Sequence, residues 1–144
     1  MKTISFWVPG LPATAGSKTG FYNKKIKRVI MTPANKKQKP WMAVVRLKAE
    51  ESYQGPVLTG PIRLNVVFRM PRPRSHYGTG KNSEILKLSA PAYHTKRPDL
   101  TKMARAIEDA LTGVIWRDDS QVVKNTTLKG YDDRPGVEIT IEEF

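Results

Sequence analysis

Acidic side chains are scarce in this chain, and three of them stand where they could act together. Asp99 opens a helical stretch, and Asp118 and Asp119 lie in the turn beyond it. Carboxylate oxygens are the ligands that a hard cation such as Mg²⁺ prefers, and a few suffice because the ion keeps several waters. Such an ion neutralises the charge that builds on the attacking and leaving oxygens during phosphodiester hydrolysis, and it orients the attacking water and lowers its pKa. Each acid also has an ordinary reading. The dipole favours an Asp in a first helical turn, and Asp-Asp-Ser is a common turn composition. The spacing poses a geometric problem as well. A helix packed on a sheet cannot bring its own start near the loop at its far end. The acids therefore meet only if the chain runs back after the loop or if two subunits contribute, and the residues alone leave both routes open.

The surroundings of these acids are basic. The 144 residues hold 25 Lys and Arg against 13 Asp and Glu, a formal net charge of +12. An excess of that size works against a compact chain by self-repulsion, so a polyanionic partner is expected. Nucleic acid is the natural one, because each phosphate neutralised releases condensed counterions. In such a field, acids that faced no cation would oppose binding. Lys96, Arg97, Lys102, Arg105 and Arg117 flank the acids and are the expected phosphate contacts. The absence of cysteine excludes disulfides and thiolate metal sites. Two separated histidines argue against a His-rich zinc site. No apolar run reaches transmembrane length, and the one at the N-terminus is short for a signal peptide. A cytoplasmic, nucleoid-associated location with no membrane partner is the expectation.

The elements that must position the acids follow from periodicity. Ile4, Phe6 and Val8 alternate with polar neighbours, as do Ile62, Leu64, Val66 and Phe68, and Val137, Ile139 and Ile141; each set predicts a strand. Residues 121–128 read as another strand. Residues 21–31 form a weak hairpin pattern carrying the basic cluster Lys24, Lys25, Lys27 and Arg28. Residues 36–53 read as a helix with Pro40 in its first turn and an apolar stripe through Trp41, Val44, Val45 and Leu47. The clearest helix spans 98–111, where Leu100, Met103, Ala104, Ile107, Ala110 and Leu111 share one face and Gly113 follows the end. Residues 71–95, with Pro71, Pro73, Gly78, Gly80 and Pro91, predict a long, mobile loop. The fold class is α+β, a mixed, largely antiparallel sheet with two main helices on one face, and a single domain over 1–144.

The runs Lys96-Arg97-Pro98-Asp99-Leu100-Thr101-Lys102-Met103 and Asp109-Ala110-Leu111, followed by Asp118-Asp119-Ser120-Gln121-Val122-Val123, resemble the signature of the RusA family of Holliday-junction resolvases. That family reads Pro-Asp-Leu-Asp-Asn, an amphipathic helix ending in Asp-Ala-Leu, and then Asp-Asp-x-Gln-Val. The close match covers residues 96–123, and the strand order extends it along the chain. The resemblance implies a RusA-like fold and a homodimeric, Mg²⁺-dependent (or Mn²⁺-dependent) endodeoxyribonuclease that nicks four-way DNA junctions symmetrically in recombination and repair. A prophage setting is in keeping with it. Carried over by position, Asp99 and Asp119 are metal ligands, Asp118 is their catalytic neighbour, and Arg105 stands where the family has a catalytic Lys.

Two departures matter. The family's second acid falls at Thr101, whose hydroxyl carries no charge, and Arg105 brings a fork where the family has a compact ammonium. Asp109, one turn beyond Arg105, is expected to pair with it. Thr101 raises the alternative of a branched-DNA-binding protein that cuts weakly or not at all. A basic RNA-binding module is the other alternative. Helix 36–53, with Trp41, is a candidate dimer surface, and Trp116 reads as core.

Overall fold

The computed structural model describes residues 2–14, 18–23, 28–33 and 38–144, with side chains described for 2–14 and 40–144. In chain order the elements are β1 (Lys2–Pro9), β2 (Lys18–Asn23), β3 (Arg28–Pro33), α1 (Gln38–Ser52), β4 (Ile62–Met70), α2 (Leu100–Leu111), β5 (Val122–Tyr131) and β6 (Gly136–Glu143). Four strands make one sheet in the order β1-β6-β4-β5, and β2 pairs with β3 in a separate two-stranded ribbon. β6 is antiparallel to both β1 and β4, whereas β4 and β5 are parallel. A parallel pair needs a crossover, and residues 71–121, with α2 at their centre, provide it.

Period-two burial decides which face of the sheet is covered. β4 buries Ile62, Leu64, Val66, Phe68 and Met70, and its neighbours contribute Ile4, Val8, Val137, Ile139 and Ile141. α1 packs over β1, α2 packs over β5, and the two helices touch. α2 places Met103, Ala106, Ile107, Ala110 and Leu111 in this core. The opposite face carries polar ladders instead. Ser5 donates to Thr140, Arg63 pairs with Glu142 at 3.0 Å, and Arg69 reaches Asp132 at 3.1 Å and Glu138 at 3.0 Å. The expected α+β class, with a mixed sheet and two main helices on one face, is what the chain forms.

Details differ from the sequence pattern. α1 buries Trp41, Val45 and Ala49, spaced by one turn, while Val44 and Leu47 stay exposed. Trp41 is thus core, not a free surface for a partner, because spacing of i, i+4, i+8 governs which stripe faces the sheet. β5 runs on to Tyr131, beyond the expected end. The ribbon forms, but Lys24, Lys25 and Lys27 lie outside the described residues, as does the side chain of Arg28.

If one face alone carries the core, position should outweigh residue type. Leu64→Ala, at a fully buried site, is expected to lower unfolding free energy by about 3 kcal/mol. Leu128→Ala, on the open face and 52% exposed, should change it by less than about 0.5 kcal/mol. Urea denaturation of the two variants measures the difference.

Candidate functional site

Asp99 is the N-cap of α2, with extended backbone (φ −69°, ψ 136°), yet its side chain makes no capping hydrogen bond. An Asp in that position ordinarily accepts from a backbone N–H of the first turn. Here the carboxylate is left for other partners, and Lys102 Nζ stands 3.6 Å from Oδ2. Thr101 is exposed in the same turn.

The far end of α2 is built by tight local bonds. Thr112 caps the helix, and Gly113, at φ +86°, turns the chain in a conformation that only glycine adopts without strain. Trp116 is fully buried, and its Nε1 donates to Thr112 Oγ1 at 3.1 Å, which makes it core as expected. The chain then pairs with Leu58: Leu58 N–H donates to Ile115 O at 2.8 Å, and Arg117 N–H to Leu58 O at 3.2 Å.

Asp118 and Asp119 follow in a 3-10 turn, Asp119–Gln121, closed by a capping box. Asp118 Oδ1 accepts from Ser120 N–H at 2.9 Å, and Asp118 N–H donates to Gln121 Oε1 at 2.8 Å. The backbone N–H of Ser120 holds the Asp118 carboxyl below its usual range, helped by side-chain bonds from Ser120 and Asp119. Asp118 is thus engaged in shaping the turn. Gln121 extends the clamp, its Nε2 donating to Leu58 O at 3.0 Å and Gly60 O at 2.9 Å. The sequence marks Gln121 through the Asp-Asp-x-Gln-Val signature but not its structural role, although its place three residues after an Asp is a capping-box signal.

The turn brings Asp119 near enough to Asp109 for their charges to interact. Partial desolvation pushes the Asp109 carboxyl above its ordinary range, the negative charge of Asp119 adds to the rise, and Arg105 opposes it. No Arg105–Asp109 ion pair forms, contrary to expectation; the guanidinium acts from a longer distance. Asp99 is ten residues earlier on the same helix, about 15 Å away along the axis at 1.5 Å per residue. β5 runs antiparallel to α2, since Asn125 Nδ2 donates to Glu108 Oε1 while Lys129 donates to the carbonyls before Asp99. One protomer therefore holds Asp99 at one end of α2 and the Asp109–Asp119 pair at the other. Among the described residues, no three His, Asp or Glu side chains converge as a metal cluster. Lys96, Arg97, Lys102, Arg105 and Arg117 are all exposed around these two ends.

Residues 71–95 carry their own bonds. Gly78 N–H donates to Ile85 O and Lys87 N–H to His76 O. Tyr131, at the end of β5, anchors the segment: His76 and His94 meet its ring edge-on at 5.2 Å each, and Arg72 stacks on it at 4.5 Å. Arg72 also donates to Pro91 O at 2.7 Å.

The fold thus sets these acids, at the two ends of α2, within a rim of exposed basic side chains. The profile described as Endodeoxyribonuclease RusA matches residues 11–142. The chain is also 33% identical to a Bacillus subtilis (strain 168) relative, uncharacterized protein YqaN, across 99% of this chain and 98% of the relative. The chain belongs to the RusA endodeoxyribonuclease family. No helix among the described residues is long and apolar enough to cross a membrane.

Two outcomes follow. Gln121→Ala removes three hydrogen bonds that fix the turn, and should lower stability by about 2 kcal/mol, read as a fall in thermal midpoint. The second concerns pH. Burial, and then the charge of Arg72 for His76 and of Lys129 for His94, hold both histidines below their usual pKa. The unfolded chain takes up protons at these sites at a higher pH than the folded chain does. Stability is therefore full above pH ~6.5 and falls as pH drops from there towards the depressed folded values. A His76→Gln/His94→Gln variant should show a flatter thermal midpoint between pH 7.5 and 5.5 than the parent.

Proposed function

We propose that this protein is a Mg²⁺-dependent, structure-specific endonuclease that resolves four-way DNA junctions as a homodimer, and that each of its sites is shared between two protomers. The observation that carries this reading is the separation of the acids: Asp99, uncapped, at one end of α2, and Asp119, in mutual repulsion with Asp109, at the other. The donors suit a hard cation. They are carboxylate oxygens, and two of them repel each other in a way that a bound cation relieves.

β5 is an edge strand of the sheet, and among the described residues only Tyr93 bridges its outer side, at Gly130. A two-fold axis beside that edge would run one β5 against the other. The Asp119 end of one protomer would then face the Asp99 end of its partner. Such an isologous arrangement also yields two equivalent sites, which symmetric nicking of a two-fold junction requires.

In this reading Asp99 and Asp119 hold the ion. Bound Mg²⁺ or Mn²⁺ supplies charge neutralisation at the phosphate and an activated water. Arg105, one turn from Asp109, stabilises negative charge on the phosphate oxygens. Lys96, Arg97, Lys102 and Arg117 hold the flanking backbone without reading sequence. Asp118 keeps Asp119 aimed by fixing the turn. Thr101 contributes no charge where the family signature has an acid, which favours, as a second reading, a junction binder that cuts weakly.

Complementation separates these arrangements. Asp99→Asn and Asp119→Asn should each bind a synthetic four-way junction and fail to cut it. Mixing the two variants should restore nicking, because a mixed dimer regenerates one intact shared site, about one site in four overall. Cutting by either variant alone at the parent rate would remove that residue from the site. Binding without cutting by the parent chain would favour the second reading, and preference for RNA in competition would end both.

A further inference from the structure

β5 also holds the approach to Asp99. Lys129 pairs in register with Phe68, whose side chain is fully buried, so Lys129 lies on the covered side of the sheet. Its Nζ donates to Lys96 O at 2.7 Å and to Pro98 O at 2.8 Å. Tyr93, just upstream, bridges Gly130. The backbone leading into α2 is thus fastened to the end of β5 residue by residue, and Pro98 immediately precedes the Asp99 carboxylate.

The choice of residue is informative. An ammonium carries three donors, and Lys129 uses two of them on neutral carbonyls. No carboxylate lies within ion-pairing distance of it among the described residues. It also stands near the N-terminal end of α2, which is the positive pole of the helix and the wrong place for a cation. The placement becomes favourable when anions gather at the same point, as the Asp99 carboxylate and a DNA phosphate would.

We infer that Lys129 is a positioning residue of the nuclease site, which fixes the 96–98 backbone so that Asp99 is presented to a divalent cation. The inference rests on the nuclease reading above. Groups that orient a metal ligand from behind act on metal affinity more than on folding.

The test uses the full-length chain with Lys129→Met, which keeps the stem and removes the donors, and Lys129→Arg, which keeps donors and charge. Mn²⁺ uptake is followed by electron paramagnetic resonance, junction cutting is titrated with Mg²⁺, and thermal midpoints are recorded alongside. Lys129→Met should weaken Mn²⁺ binding and raise the half-saturating Mg²⁺ concentration by roughly 10-fold, with cutting at saturating metal close to that of the parent. Lys129→Arg should recover most of the affinity. If the methionine variant does not fold, Lys129→Gln, a polar side chain one bond shorter and without charge, takes its place in the same comparison. Metal affinity equal to the parent's, or losses that follow the thermal midpoint alone in every variant, would overturn the inference. A parent chain that takes up Mn²⁺ and cuts, beside an unchanged Lys129→Met, sinks this inference alone. A parent that does neither sinks the nuclease reading and this inference together.

Discussion

The rigidity of α2 is the constraint on which the rest depends. A helix of 12 residues is a spacer of fixed length, and its buried stripe of Met103, Ile107, Ala110 and Leu111 leaves it no freedom to slide on the sheet. Close packing makes such a face bistable at best, not continuously deformable. The carboxylates at its two ends are therefore held apart by the same contacts that stabilise the fold. No local adjustment of side chains closes a gap of about 15 Å. In the proposed reading, what brings Asp99 and Asp119 to one phosphate therefore comes from a second protomer.

The two ends are held differently. At the C-terminal end, short-range bonds define the site: Gly113 turns the chain, the Asp118–Gln121 box closes the next turn, and Gln121 bolts that turn to Leu58 and Gly60. At the N-terminal end the site depends on contacts distant in sequence, through Lys129 and the ring of Tyr131 with its two histidines. One end is thus fixed by the chain's local conformation, the other by the sheet and by the long excursion folded onto it.

That difference explains what could be read in advance. Strands β4 and β6 and helix α2 show their periodicity because each has one apolar face, and the Asp-Asp-Ser-Gln turn is visible because its bonds are local. β5 is harder: as an edge strand it exposes polar residues on both sides, Lys124 and Asn125 among them, so alternation does not mark where it ends. In α1 the apolar pattern points partly to Val44 and Leu47, which stay exposed, since a count of apolar residues does not say which of two overlapping faces meets the sheet. The roles of Lys129 and Tyr131 had no signal at all, because their partners lie some thirty to fifty-five residues earlier in the chain.

Charge gives the separation of acids its chemical sense. On the open face of the sheet, Glu138, Glu142 and Asp132 are each matched by arginine. Around α2 the matching is incomplete: Asp109 and Asp119 repel each other, and among the described residues Asp99 has only the 3.6 Å approach of Lys102. Half of a site with uncompensated carboxylates repels a DNA backbone, while the basic residues beside it attract one. In the proposed dimer that conflict is resolved when both halves share a cation against the phosphate. In the proposed reading a protomer alone is a DNA-binding surface with an incomplete set of ligands, and hydrolysis belongs to the assembled pair. For the proposed activity, two matched cuts at a branch, tying the chemistry to assembly would limit stray nicking without any separate regulatory element.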